Sequence, residues 1–169
     1  MGGYRGIFID RIHKLANPRI VIFEPTKKYY KYLKNKYKND KKITIKNYGL
    51  YDLDCSKKLY LSGDGSSLFK KASSYEIINL RDINSVLKSY KKIDLMSINI
   101  EGSEYALVKR LINTGLIKKI KYLQIQFHDF VPKSDFKRKR IITQLKKTHK
   151  IRYSYPFVWE GFERRQTHI

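Results

Sequence analysis

Residues 93–105 read IDLMSINIEGSEY. Ile93, Leu95, Met96, Ile98 and Ile100 form a near-continuous apolar run, the pattern of a parallel strand covered on both faces. The run breaks at Asn99, Glu101 and Gly102, and a helical pattern begins at Glu104. Polar and acidic groups therefore stand where a buried strand ends. In open α/β sheets ligands bind outside the carboxyl ends of the strands, which puts a functional site near Asn99 to Glu104.

Outward from this stretch, strand and helix patterns alternate. IVIF at residues 20–23 reads as a short buried strand ended by Glu24-Pro25, with a helix from about Thr26 to Tyr37 and Thr26 as its N-cap. Ile43, Ile45 and Asn47 alternate with polar residues; Leu59 to Leu61 and Tyr75 to Leu80 read as extended. Ile83, Val86, Leu87 and Tyr90 share a helical face, and Leu107, Val108, Leu111 and Ile112 form the buried stripe of a helix stopping near Gly115. Ile120 to Phe127 is a strand running into His128-Asp129. Phe136, Ile141, Ile142 and Leu145 mark another amphipathic helix, and 152–155 and 157–159 are closing strands around Pro156. This alternation predicts one α/β domain over residues 1–169: a Rossmann-like, mainly parallel sheet with helices on both faces and an antiparallel C-terminal edge.

Composition narrows the function classes. Hydrophobic residues at 41% and aromatics at 14% describe a folded domain. No apolar run is long enough to span a bilayer, and the N-terminus carries no apolar leader core. Cys55 is the sole cysteine, which excludes an intrachain disulfide and a cysteine-built metal site. A reducing, cytoplasmic compartment fits best. The formal charge of +22 would attract phosphate polymers or anionic surfaces. Lys far outnumbers Arg, however, and Lys, Ile, Asn and Tyr are abundant together, as an A/T-rich genome would encode. Drift in a solvated surface is the first reading of the charge, and a polyanion partner the second.

Three strand ends are polar in a way core packing does not require: Glu24, the segment Asn99 to Gly102, and His128-Asp129. Upstream, Gly2-Gly3-Tyr4-Arg5-Gly6 runs straight into a helix over 7–15. Glycine permits close backbone approach, and a helix start offers free N–H groups. Taken singly, each has a plain structural reading: a turn, a surface acid, a hydrogen-bonded histidine. Their combination, in the order a Rossmann-like enzyme uses them, carries the argument.

GGYRG at 2–6, IFEP at 22–25, GSSL at 65–68, IDLMSINIEGSEY at 93–105 and LQIQFHDF at 123–130 together resemble the FkbM-type methyltransferases, a class I family that uses S-adenosylmethionine (SAM). The closing stretch 147–162 resembles the ending of one subgroup. The resemblance implies that Gly2, Gly3, Tyr4 and Gly6 line the methionine end of SAM. It implies that Glu24 binds the ribose, with Asn47, Ser66 and Ser67 on the adenine side. Asn99, Glu101 and His128 would face the transferring methyl, His128 being the first candidate base and Glu101 the second. No metal is implied. The expected reaction is O-methylation of a glycan or another small hydroxylated acceptor; a nucleic-acid methyltransferase and an inactive binding remnant are the alternatives, the former motivated by charge without a supporting motif.

Two departures from the family pattern stand out. Ser97 and Asn99 replace a Lys and an Asp found in many relatives, so Asn99 keeps hydrogen bonding and loses charge. The family also places a buried strand before the glycine loop, and here the loop begins at residue 2. The expectation is therefore an N-terminally truncated domain lacking its central first strand, with a gene start placed too far downstream as the leading explanation.

Overall fold

The structure, a computed structural model, describes residues 2–61, 68 and 73–166. It is a mixed α/β fold. Helix α1 (Ile7–Ala16) leads to β1 (Ile20–Phe23), α2 (Lys27–Lys36) and β2 (Ile43–Lys46). In β2 the alternation is plain: Ile43 and Ile45 are buried, Thr44 and Lys46 exposed. β1 and β2 pair in parallel, Ile20 opposite Ile43 and Phe23 opposite Lys46.

A second sheet holds β3 (Gly49–Tyr51), β4 (Cys55–Tyr60) and β5 (Tyr75–Asp82) in the order β3-β5-β4. After α3 (Ile83–Leu87) comes the third, built from β6 (Ile93–Ile98), β7 (Ile120–Ile125), β8 (His149–Tyr155) and β9 (Trp159–Arg164) in the order β6-β7-β9-β8. Helix α4 (Glu104–Asn113) and a 3-10 turn at Leu116–Lys119 connect β6 to β7, and α5 (Ser134–Leu145) connects β7 to β8.

The expectation of one mainly parallel sheet is corrected. Among the described residues the strands lie in three sheets, with three parallel pairings (β1–β2, β3–β5, β6–β7) and three antiparallel ones (β4–β5, β7–β9, β8–β9). The cause is connection length, because a short link such as that from β8 to β9 allows only an antiparallel return. The antiparallel C-terminal edge is present, though its last strand starts later than expected. Phe157 lies in the turn with φ +60°, and β9 begins at Trp159. Thr26 occupies the N-cap position of α2, yet its hydroxyl donates to Glu24 rather than capping the helix.

The main core joins β6, β7, α4 and α5 through Ile98, Leu107, Leu111, Leu123, Ile125 and Leu145, all essentially inaccessible. Ile22, Leu33, Ile43 and Ile45 form a second cluster, and Leu59, Ile78 and Leu80 a third. Among the described residues, β1 is paired only with β2, and β6 only with β7. The carboxyl ends of these two strands meet at Gly2, whose N–H donates to Phe23 O at 3.4 Å and where an added Cβ would overlap Asn99 O. No strand among the described residues lies between them. Helix α1 buries no residue and leaves Ile7 and Phe8 exposed. Among the described residues, no helix is long and apolar enough to cross a membrane.

Candidate functional site

A pocket of about 200 Å³ opens where β1 and β6 end. Gly2, Tyr4, Glu24 and Tyr29 line one wall, Asn99, Ile100, Glu101 and Ser103 another. Leu50, Tyr51, Leu59 and Leu80 from the second sheet close it with apolar surface. It lies where two sheet halves part, the position at which α/β proteins bind ligands.

Glu24 organises the first wall. Its carboxylate is buried and accepts four hydrogen bonds: from the N–H groups of Gly3 (3.1 Å) and Tyr4 (3.2 Å), and from the N–H (3.0 Å) and hydroxyl (2.7 Å) of Thr26. Four is about the capacity of a carboxylate. The acid expected to meet a ribose is thus engaged in shaping the glycine loop. Gly2 at φ +79° and Gly6 at φ +77° need the conformational freedom of glycine, and a Cβ on Gly2 would overlap Asn99 O. Gly2 and Tyr4 line the pocket, whereas Gly3 and Gly6 are buried beneath it. Asn47 does not line it: its side-chain amide donates to the carbonyls of Glu24 (3.1 Å) and Pro25 (3.2 Å), fixing the strand end. Ser66 and Ser67 lie outside the described residues.

The second wall is built by the turn after β6. Asn99 has a buried side-chain oxygen that finds no hydrogen-bond partner among the described residues. Glu101 sits in the left-handed region at φ +49°, uncommon for a residue with a side chain, followed by Gly102 at φ +99°. This sharp turn brings the Glu101 carboxylate to 3.4 Å from His128 Nε2, while Glu104 lies 3.2 Å from His128 Nδ1. The structure therefore brings Asn99, Glu101 and His128 together, with His128 behind Glu101.

Glu104 went unrecognised as a site residue. It is fully buried and accepts from the N–H of Gly102 (2.9 Å) and of His128 (2.8 Å), tying the loop after β6 to the loop after β7. The signal was present: Glu104 falls three, four and seven residues before Leu107, Val108 and Leu111, on the buried stripe of α4. Burial works against a charged His128, but hydrogen bonds to Glu101 and Glu104 and the charges of both outweigh it. Together they push the imidazole up to about 9. At neutral pH His128 is an imidazolium between two carboxylates. Tyr105, whose hydroxyl donates to His128 O at 2.7 Å, closes the far side. Among the described residues, no group of acids, histidines and cysteine is arranged to hold a metal ion.

A family model described as the methyltransferase FkbM domain matches residues 1–155. Among solved structures, the chain is similar to methyltransferase FkbM from Methylobacillus flagellatus KT, with a TM-score of 0.62 at 17% identity. The match covers 96% of this chain and 41% of that one, so the chain spans less than half the length of its structural relative. That likeness establishes the fold. A comparison with curated proteins returned no match.

Proposed function

The chain belongs to the FkbM methyltransferase family, and from that premise we propose that it is a SAM-dependent O-methyltransferase acting on a sugar, glycan or other small hydroxylated acceptor in the cytoplasm. The observation that carries this reading is Asn99. Its buried, unpartnered oxygen belongs to a residue lining a pocket that also holds a glycine loop and a carboxylate. A buried carbonyl without a partner is unfavourable by roughly 1–3 kcal/mol. A ligand ammonium or N–H would satisfy it, so the residues present fit the cofactor's methionine end. Gly2, Tyr4 and Asn99 would hold that end. Glu24 serves the cofactor through the loop it shapes.

When bound, the cofactor's sulfonium supplies a methyl group whose carbon–sulfur bond breaks as the acceptor oxygen bonds to carbon. The protein's part is to position that oxygen and take its proton. An imidazolium has no lone pair for a proton, so below about pH 9 the proton acceptor is Glu101. His128, held from behind by Glu104, keeps the Glu101 carboxylate aimed into the pocket. Above that pH His128 is neutral and, lying behind Glu101, could take up the proton through it.

Calorimetric titration with SAM and S-adenosylhomocysteine, followed by labelled methyl transfer to a panel of sugars, tests the reading. Glu101→Gln should lower transfer by about 100–10,000-fold with cofactor affinity retained. Absence of SAM binding would refute the enzyme reading. Transfer to RNA in place of sugars would favour the nucleic-acid alternative, which rests on the net charge of +22.

A further inference from the structure

Every tyrosine lining the pocket carries a cation over its ring. Arg5 lies over Tyr4 with its guanidinium carbon 5.3 Å from the centroid, Lys28 over Tyr29 at 5.6 Å, and Lys57 over Tyr51 at 4.0 Å. These cations come from three separate elements: the glycine loop, the first turn of α2, and β4. Lys57 lies two residues before Leu59, on the same face of β4, and Leu59 lines the pocket. Ring contacts of this kind hold long side chains in place, so part of the entropy that a lysine loses on gripping a ligand is already lost.

Among the described residues, three acids near the pocket are engaged by the protein itself. Glu24 accepts four hydrogen bonds from the protein itself. Glu101 faces the His128 imidazolium. Glu76, near the start of α2, accepts from the Lys27 N–H. Three cations therefore border the rings that line the pocket, while its acids are engaged by groups of the protein itself. Cations placed in this way favour a ligand group that is negatively charged.

We infer that the acceptor taken by this pocket is anionic, a hydroxylated molecule bearing a carboxylate or phosphate that Arg5, Lys28 and Lys57 grip at the rim. The inference rests on the proposed reading that the pocket serves methyl transfer to a hydroxyl, and it names the class of that acceptor. The same three cations could instead serve the carboxylate of the cofactor, and the test separates the two sources.

Glucose 6-phosphate and glucuronate are compared with glucose by NMR-monitored titration, with and without S-adenosylhomocysteine, at low and high salt. The anionic sugars should bind at least about tenfold tighter than glucose at low salt, and the gap should close near 0.5 M salt. The combined Arg5→Met, Lys28→Met, Lys57→Met variant should abolish the gap. An equally charge-depleted control, Lys137→Met, Arg140→Met, Lys147→Met, remote from the pocket, should keep it. Equal loss in both variants, or no gap in the unaltered protein, overturns the inference, because the preference would then be one of net charge or absent. Loss of S-adenosylhomocysteine affinity in the rim variant with the sugar preference intact also overturns it, assigning the cations to the cofactor. If S-adenosylhomocysteine binds no form of the protein while the rim-dependent preference persists, the methyltransferase reading fails and the anionic site stands.

Discussion

Substituting His128 with glutamine should remove a pH-dependent share of the folding stability. In the folded protein the imidazole is pushed up to about 9 by Glu101 and Glu104, whereas in the unfolded chain it returns to the ordinary 6.5. A raised folded value means the charged form is the stabilised one. The contribution is therefore complete below about pH 6.5 and is lost as pH rises through about 9. Its full size is about 3 kcal/mol, appropriate for a side chain only 11% exposed. In a chain of 169 residues this corresponds to roughly 6–12 °C in melting temperature. Melting curves of the unaltered protein and of His128→Gln between pH 6 and 10 give the result as a difference, so that other titrating groups largely cancel. The two proteins should differ most at pH 6 and converge toward pH 10. Proton NMR of the imidazole gives the titration midpoint directly, and Glu104→Gln should lower it. A midpoint near 6.5, or melting curves that stay parallel across the range, would refute the reasoning from geometry to charge.

Glu24→Gln replaces one of two accepting oxygens with a donor, so either the Gly3 and Tyr4 pair or the Thr26 pair loses its partner; stability should fall by about 2 kcal/mol, and amide exchange at Gly3 and Tyr4 should accelerate. Gly2→Ala and Gly115→Ala both place a side chain at positive φ, but only at Gly2 does the new methyl meet protein, since nothing lies within 4 Å at Gly115. Gly115→Ala should be unfavourable by about 1 kcal/mol and Gly2→Ala by clearly more; equal losses in urea unfolding would mean that the approach to Asn99 is relieved. Glu160→Leu leaves the buried guanidinium of Arg138 without its carboxylate and should lose about 3–5 kcal/mol, whereas the double change with Arg138→Met should recover most of it; a double variant as unstable as the single one would contradict this.

The parts of the fold legible in sequence were those with a strong period. Ile98 to Glu104 marked the end of β6 and the start of α4 because an apolar run met a cluster of polar residues. The short, mixed strands were harder. Gly49–Tyr51 is too brief to show alternation, and in β4 the lysines at 57 and 58 conceal a strand whose inward face reaches Leu59. Glu24 stood out as an acid at a strand end, but its partners Gly3 and Tyr4 lie 20 or more residues away, so its engagement with the loop was visible only in three dimensions. Glu104 and Arg138 share a lesson. Each occupies the first position of an apolar helical stripe, Arg138 preceding Ile141, Ile142 and Leu145, and each is buried against a residue from a different strand or loop. A charge on a buried face announces a partner without naming it.

The seam between β1 and β6 has a mechanical consequence. Among the described residues the two sheets it separates share no strand ladder; Gly2 joins their ends, and Val21 and Phe23 of β1 pack into the main core. A hinge-like opening at this line breaks few directional bonds, whereas bending within either sheet would break a row of them. The pocket straddles the line, with Glu24 on one leaf and Glu101 on the other. A molecule seated there works as a clasp, and the thermal stabilisation that it confers measures how firmly the leaves are joined.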